Sequence, residues 1–230
     1  MADPTTRAPA TSILRLSRYH CFVGELIRSS DLGRLTSHQM AEELGLSEET
    51  VRRDLSYVDV EGRPGAGYDP ALLYDALEAY LGISACFPFL VVGARSMLEA
   101  LTVVFPADEF GLKPVAYFSE CPEDAGVSVD GLIVRDLGEI AGLDHALGIT
   151  VALVACEPDS VARTLDLLDG AGVHSVLMLT PTLRPRHPAG MNVTYFRIPC
   201  ALKALASAAS EPAPCCAASD CAVRKEHQPD

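Results

Sequence analysis

The chain has no long apolar run. Its stretches at 87–92 and 149–156 are far shorter than the roughly 20 apolar residues that span a bilayer. The opening residues, from Met1 to Arg7, hold no apolar signal core. A cytoplasmic protein is expected, with no membrane partner and with its eight cysteines as thiols rather than a disulfide framework. Positive charge is also scarce: 18 Lys and Arg face 31 Asp and Glu, a formal net charge of −13. That balance excludes indiscriminate nucleic-acid binding over the whole surface. It leaves room for a local basic face, because salt confines surface fields to about 8–10 Å. Neither a P-loop nor a Gly-x-Ser-x-Gly elbow occurs. His20, His145, His174 and His187 show neither metal spacing nor a partner nucleophile. No tandem repeat at solenoid periods is present.

What is present begins at Ser47. This residue can cap a helix, and Glu48 and Glu49 follow in its first turn, where the helix dipole favours acids. Val51 and Leu55 lie four apart and must face inward. Glu49, Arg52, Arg53 and Ser56 then fan over the outer face. Adjacent arginines beside small hydroxyls suit phosphate gripping and base-edge reading. Before them, Thr36, Ser37, His38 and Gln39 have the form of a capping box, opening a short helix with Met40, Ala41 and Leu44. Gly45, Leu46 and Ser47 supply the turn. Helix, short turn and second helix make a helix-turn-helix. Val58 and Val60 alternate like a short strand, 62–65 reads as a tight turn, and Ala66, Gly67 and Tyr68 read as a returning strand. The result would be a wing with Arg63 at its tip.

The rest of the chain divides around this. Residues 1–10 are expected to be disordered. Leu16, Tyr19, Phe22, Val23, Leu26 and Ile27 recur at steps that predict an amphipathic support helix. Asp69 followed by Pro70 starts another helix, and Gly82 ends it. Residues 11–82 would form the winged-helix domain and 83–206 a second domain. In the latter, apolar runs at 87–92, 114–118, 132–134, 149–155, 175–179 and 193–198 are separated by amphipathic segments at 95–104, 136–141 and 160–171. Unbroken apolar strands alternating with helices predict a parallel sheet covered on both faces. The expected fold is α/β: an N-terminal winged helix-turn-helix followed by a Rossmann-type doubly wound sheet. Residues 207–230, with Cys215, Cys216 and Cys221, read as a disordered tail without metal-ligand spacing, and no metal is predicted. Cys86, Cys121 and Cys156 flank strands and read as small buried hydrophobes.

Val51-Arg52-Arg53-Asp54-Leu55-Ser56-Tyr57, then Gly62, then Gly65-Ala66-Gly67-Tyr68-Asp69, resembles the DNA-binding module of the Rex family. The family consists of bacterial redox-sensing repressors in which a winged helix is joined to a Rossmann domain that senses NADH against NAD⁺. The likeness continues through 11–19, where Arg15 is implied to lie near the domain interface, and through 171–181. It spans about 11–206. It implies a DNA-binding transcriptional repressor, not an enzyme, that meets operator DNA through Ser47, Thr50, Arg52, Arg53, Ser56, Tyr57, Arg63, Gly65, Gly67 and Tyr68. A homodimer is expected, because one reading helix gives too few contacts for operator affinity.

The family's NAD(H) site does not carry over intact. A dinucleotide turn needs Gly-x-Gly-x-x-Gly after the first strand. Here the segment is Gly93, Ala94, Arg95, Ser96, Met97 and Leu98, with Arg95 set where pyrophosphate would approach and Leu98 at the close-packing position. Ser119 stands where the family carries a ribose-directed aspartate, and Glu120 beside it should point to the opposite face. Arg197 occupies the place of an acid that would attract Arg15, turning attraction into repulsion. NAD(H) binding at Gly93, Ala94, Arg95, Ser96 and Ser119 is therefore expected to be weakened or lost. Two readings of the loop stay open: Arg95 and Ser96 bind a nucleotide or other anion effector at the helix start, or Arg95 projects into solvent. Two other functions also stay open, a Rossmann oxidoreductase or CoA-binding enzyme, and a partner that dimerises with a true Rex-like protein.

Overall fold

The computed structural model describes residues 8–29, 33–62, 66–83, 86–144, 148–179 and 185–208. Helix α1 (Ala10–Arg28) buries Leu16, Tyr19, His20 and Val23, one stripe at helical spacing. Ala8, expected to be disordered, is buried, and its N–H donates to Tyr80 Oη at 2.8 Å. Helix α2 (Ser37–Leu44) opens with the predicted capping box between Thr36 and Gln39 and closes on left-handed Gly45. Helix α3 (Glu48–Leu55) is capped by Ser47, and α4 (Pro70–Leu81) by Asp69. Leu16, Tyr19, Val23, Met40, Val51, Leu55, Leu73 and Leu77 close one core among these four helices.

The wing departs from expectation. Residues 58–60 form no strand; Val58 N–H turns back to Leu55 O at 3.1 Å. Tyr68 instead makes an antiparallel bridge with Leu35, with N–O distances of 2.8 and 2.9 Å. The returning strand is thus tied to the segment before α2 rather than to the end of α3. A side chain at Gly67 would forbid this: its backbone has φ +75°, and a Cβ there would sit 2.4 Å from Leu35 O.

The second half builds a seven-stranded sheet from β1 (Phe87–Gly93), β2 (Leu112–Ser119), β3 (Ser128–Val129), β4 (Leu132–Asp136), β5 (Val151–Ala155), β6 (Ser175–Met178) and β7 (Asn192–Tyr195). Their order is β3-β4-β2-β1-β5-β6-β7. All pairings are parallel except β3 with β4, an edge hairpin that the sequence reading did not foresee. Both faces are covered, as the unbroken apolar runs require. Helix α5 (Arg95–Val104) lays Leu98 over Phe89, Val91 and Tyr117. Helix α6 (Val161–Gly170) brings Leu165 and Leu168 to the opposite face, over Val92, Phe118 and Val154. The segment expected to be amphipathic at 136–141 is a 3-10 turn, Leu137–Gly142, and the apolar run at 193–198 breaks after Tyr195, so that Ile198 starts α7 (Ile198–Ala208). From β1 the chain winds outward to β2 and β4 on one side, then to β5, β6 and β7 on the other. The reversal puts a topological switch point at the C-terminal ends of β1 and β5, the place where open α/β sheets bind ligands.

Candidate functional site

Two places gather the residues of interest, the outer face of α3 and the switch-point crevice. On α3, Arg52 and Arg53 are exposed, at 65% and 71% of their side-chain surface. Each donates to a glutamate one turn back, Arg52 to Glu48 and Arg53 to Glu49. Exposed pairs of this spacing are worth only about 0.3–0.5 kcal/mol, so a phosphate or guanine can take the guanidinium from them. Ser56 lies on the same exposed face, its hydroxyl donating to Arg53 O at 2.7 Å. Ser47 and Thr50 are occupied by the cap: Thr50 N–H donates to Ser47 Oγ at 3.2 Å, and the two hydroxyls lie 2.7 Å apart. Tyr57 and Tyr68 are half-buried, and the ring of Tyr68 lies against Gly62. Arg63 and Gly65 lie outside the described residues. Arg34, which the sequence reading passed over, holds the wing base by donating to Ala66 O and Gly67 O at 3.0 and 2.7 Å.

Beneath the arginines lies a network the sequence reading also missed. Asp54 is fully buried beside Val51 and Leu55. Arg15 from α1 grips it with both arms of the guanidinium, Nε to Oδ2 at 2.6 Å and Nη2 to Oδ1 at 2.8 Å. Tyr19 Oη donates to Oδ2 at 2.8 Å. Burial pushes the Asp54 carboxyl up, but the hydrogen bonds from Arg15 and Tyr19 and the arginine charge outweigh it and hold the carboxyl below its ordinary range. Arg15 is therefore a clamp on the foot of α3. Arg197 lies over the ring of Tyr195, 5.1 Å from its centroid, so each arginine is engaged apart from the other.

At the crevice, Arg95 and Leu98 are engaged within α5 and against the sheet. Arg95 turns along α5 and pairs with Glu99 at 2.7 Å, half-exposed. Leu98 packs fully buried against the sheet instead of holding the helix away. Gly93 is packed closely, since a Cβ there would meet Ala155 O at 3.1 Å. The Arg95 backbone N–H, at the head of α5, already donates to the buried Asp124 Oδ2 at 2.8 Å. Ser119 is fully buried and donates to the same oxygen at 2.6 Å. Glu120 does not point away: its Oε1 accepts from Glu157 N–H, beyond β5, at 2.9 Å. Because β1 lies between β2 and β5, that carboxylate must cross the end of β1.

Cys156 is buried, 3.7 Å from Thr164 Oγ1, and burial pushes its thiol up to about 11. Cys121 is half-buried. Cys86, expected to be buried, is exposed. The tail cysteines, and His145, lie outside the described residues. Among the described residues no three His, Cys, Asp or Glu are placed to share a metal ion, and no helix is long and apolar enough to cross a membrane.

A DeoR-like helix-turn-helix family model matches residues 25–63. Curated relatives named redox-sensing transcriptional repressor Rex match over most of the chain. The protein from Roseiflexus sp. (strain RS-1) is 27% identical, covering 84% of this chain and 87% of its own. That from Latilactobacillus sakei subsp. sakei (strain 23K) is 26% identical, covering 89% and 98%. Among solved structures, RSP, described as a Rex-family repressor, superposes with a TM-score of 0.74 at 22% identity, over 89% of this chain and 94% of its own. RSP in complex with beta-NAD+ and operator DNA gives 0.75 at 22% identity, over 89% and 93%. At that identity the structural likeness speaks for the fold.

Proposed function

We propose that this chain, a divergent member of the Rex family of redox-sensing transcriptional repressors, binds operator DNA as a homodimeric repressor and is not an enzyme. The observation that carries this reading is the pair Arg52 and Arg53, exposed on α3 above a clamp formed by Arg15 and Asp54. A Rossmann enzyme has no use for a helix-turn-helix with its reading face held so firmly. The DNA-binding unit is taken as residues 11–82 and the sensory unit as 83–206, with the protein acting in the cytoplasm. The RSP structure with operator DNA supports the choice of partner. Dimerisation is supported by α7, whose Ile198, Leu202 and Leu205 leave 56–69% of their surface exposed. Such an apolar stripe needs a cover. NAD(H) control, which the resemblance implies, is read as weakened or lost, because the crevice amide of Arg95 already has an acceptor.

The test is a salt series of anisotropy titrations against an operator selected from a random-sequence pool. Arg53→Ala should cost roughly 1–3 kcal/mol of affinity where it reads a guanine. Where it touches phosphate alone, the loss should be smaller and the salt slope should flatten by about one unit. A folded Arg52→Ala, Arg53→Ala double variant that binds as tightly as the parent would sink the proposal.

A further inference from the structure

Resting on the reading just given, we infer that Asp124 and Glu120 are resident anions. They take the place of a dinucleotide's phosphates at the switch point and so free this repressor from nicotinamide control. A phosphate at a helix head is held by backbone N–H groups that have no partner within the helix. Helix α5 has no cap from its own N-cap residue, Ala94, and the Arg95 N–H is directed instead to Asp124 Oδ2 at 2.8 Å. One hydrogen cannot serve two strong acceptors. Ser119 fixes the same oxygen at 2.6 Å from within the protein, so the carboxylate is a built part of the crevice rather than a wandering surface group. On the far side, Glu157 N–H is taken by Glu120 at 2.9 Å.

The consequence is electrostatic as well as steric. Glu120 spans from the end of β2 to the loop after β5, above the end of β1, where the pyrophosphate of a doubly wound domain would lie. A dinucleotide entering there meets two carboxylates with its own two negative charges. Arg95, the nearest cation in the loop, is paired along α5 with Glu99. The residues present therefore do not fit NAD(H). The barrier lies in two acids that follow β2, not in the loss of glycines after β1.

The test uses the full chain and NADH itself, read by nicotinamide emission. The chain has no tryptophan to interfere. The parent should show no saturable binding of NADH at micromolar concentration. Removing both acids together with their acceptor oxygens, Asp124→Ala with Glu120→Ala, should tighten NADH binding at least about tenfold, or about 1.4 kcal/mol. Saturable micromolar binding by the parent overturns the inference. So does a double variant that melts like the parent yet binds no tighter. Should the double variant fail to fold, Asp124→Ala alone carries the test, and a folded single variant without gain overturns it equally. No DNA enters this measurement, so its failure is separate from failure of the repressor reading.

Discussion

Asp54 is the residue on which α3 and its exposed arginines stand. Its carboxylate accepts three hydrogen bonds from α1 and has no exposed surface of its own. Arg15→Leu would leave that charge buried and uncompensated, and should cost about 3–5 kcal/mol of unfolding free energy in urea melts. Asp54→Ala should cost less, because Arg15, 26% exposed, can turn to water. The pH dependence follows from the sign of the shift. Asp54 is held below its ordinary value of 3.8, so the folded state binds its proton less readily than the unfolded chain. The stability it contributes is therefore fully present above 3.8 and is lost as pH falls from there through the lower folded value. The gap in stability between parent and Asp54→Ala should hold at neutral pH and shrink in acid below 3.8. A gap that stayed constant down to full protonation would contradict the assignment of the charge.

At the scale of elements, the caps were legible and the wing was not. Ser47 and Thr36 sit at the heads of α3 and α2 as their side-chain chemistry demands, since a hydroxyl can take an orphan amide within three residues of itself. The wing's pairing is a long-range choice between Leu35 and residues 58–60, and alternation alone carries no information about which partner wins. Gly67 decides it, because only a residue without Cβ passes that close to Leu35 O. Gly67→Ala should lower stability by more than about 1 kcal/mol, since alanine there needs both a left-handed backbone and space that is already filled. It should also weaken operator binding while helical circular dichroism at low temperature stays parental. Parental melting and affinity together would show that the bridge to Leu35 is dispensable.

At the scale of the molecule, operator affinity as proposed would have to come from Arg52 and Arg53 on an acidic body of net charge −13. A single copy offers few cationic contacts, and a second copy doubles them in fixed register. The exposed stripe on α7 is the surface that would hold the copies together. Leu202→Asp with Leu205→Asp should convert a dimer to a monomer in light scattering and reduce operator affinity at least about tenfold, close to 1.4 kcal/mol. A variant that remains dimeric would place the interface elsewhere.

Local chemistry was enough to fix α3, its turn, the start of α4 and the parallel sheet, because caps and apolar periodicity act within a few residues. The sheet's strands appear as unbroken apolar runs because both faces are covered, by α5 and by α6. The Rex-like stretch from Val51 to Tyr57 even carried the right acid, Asp54, without revealing that it faces inward to Arg15, 39 residues away. The crevice shows the limit more sharply. As a string, the loop after β1 points to Arg95 and Leu98, and strand alternation turns Glu120 away. Only the folded chain brings Asp124 to an amide 29 residues earlier and carries Glu120 across β1 to one 37 residues later. Those hydrogen bonds depend on strand order, and strand order is settled by the packing of the whole sheet.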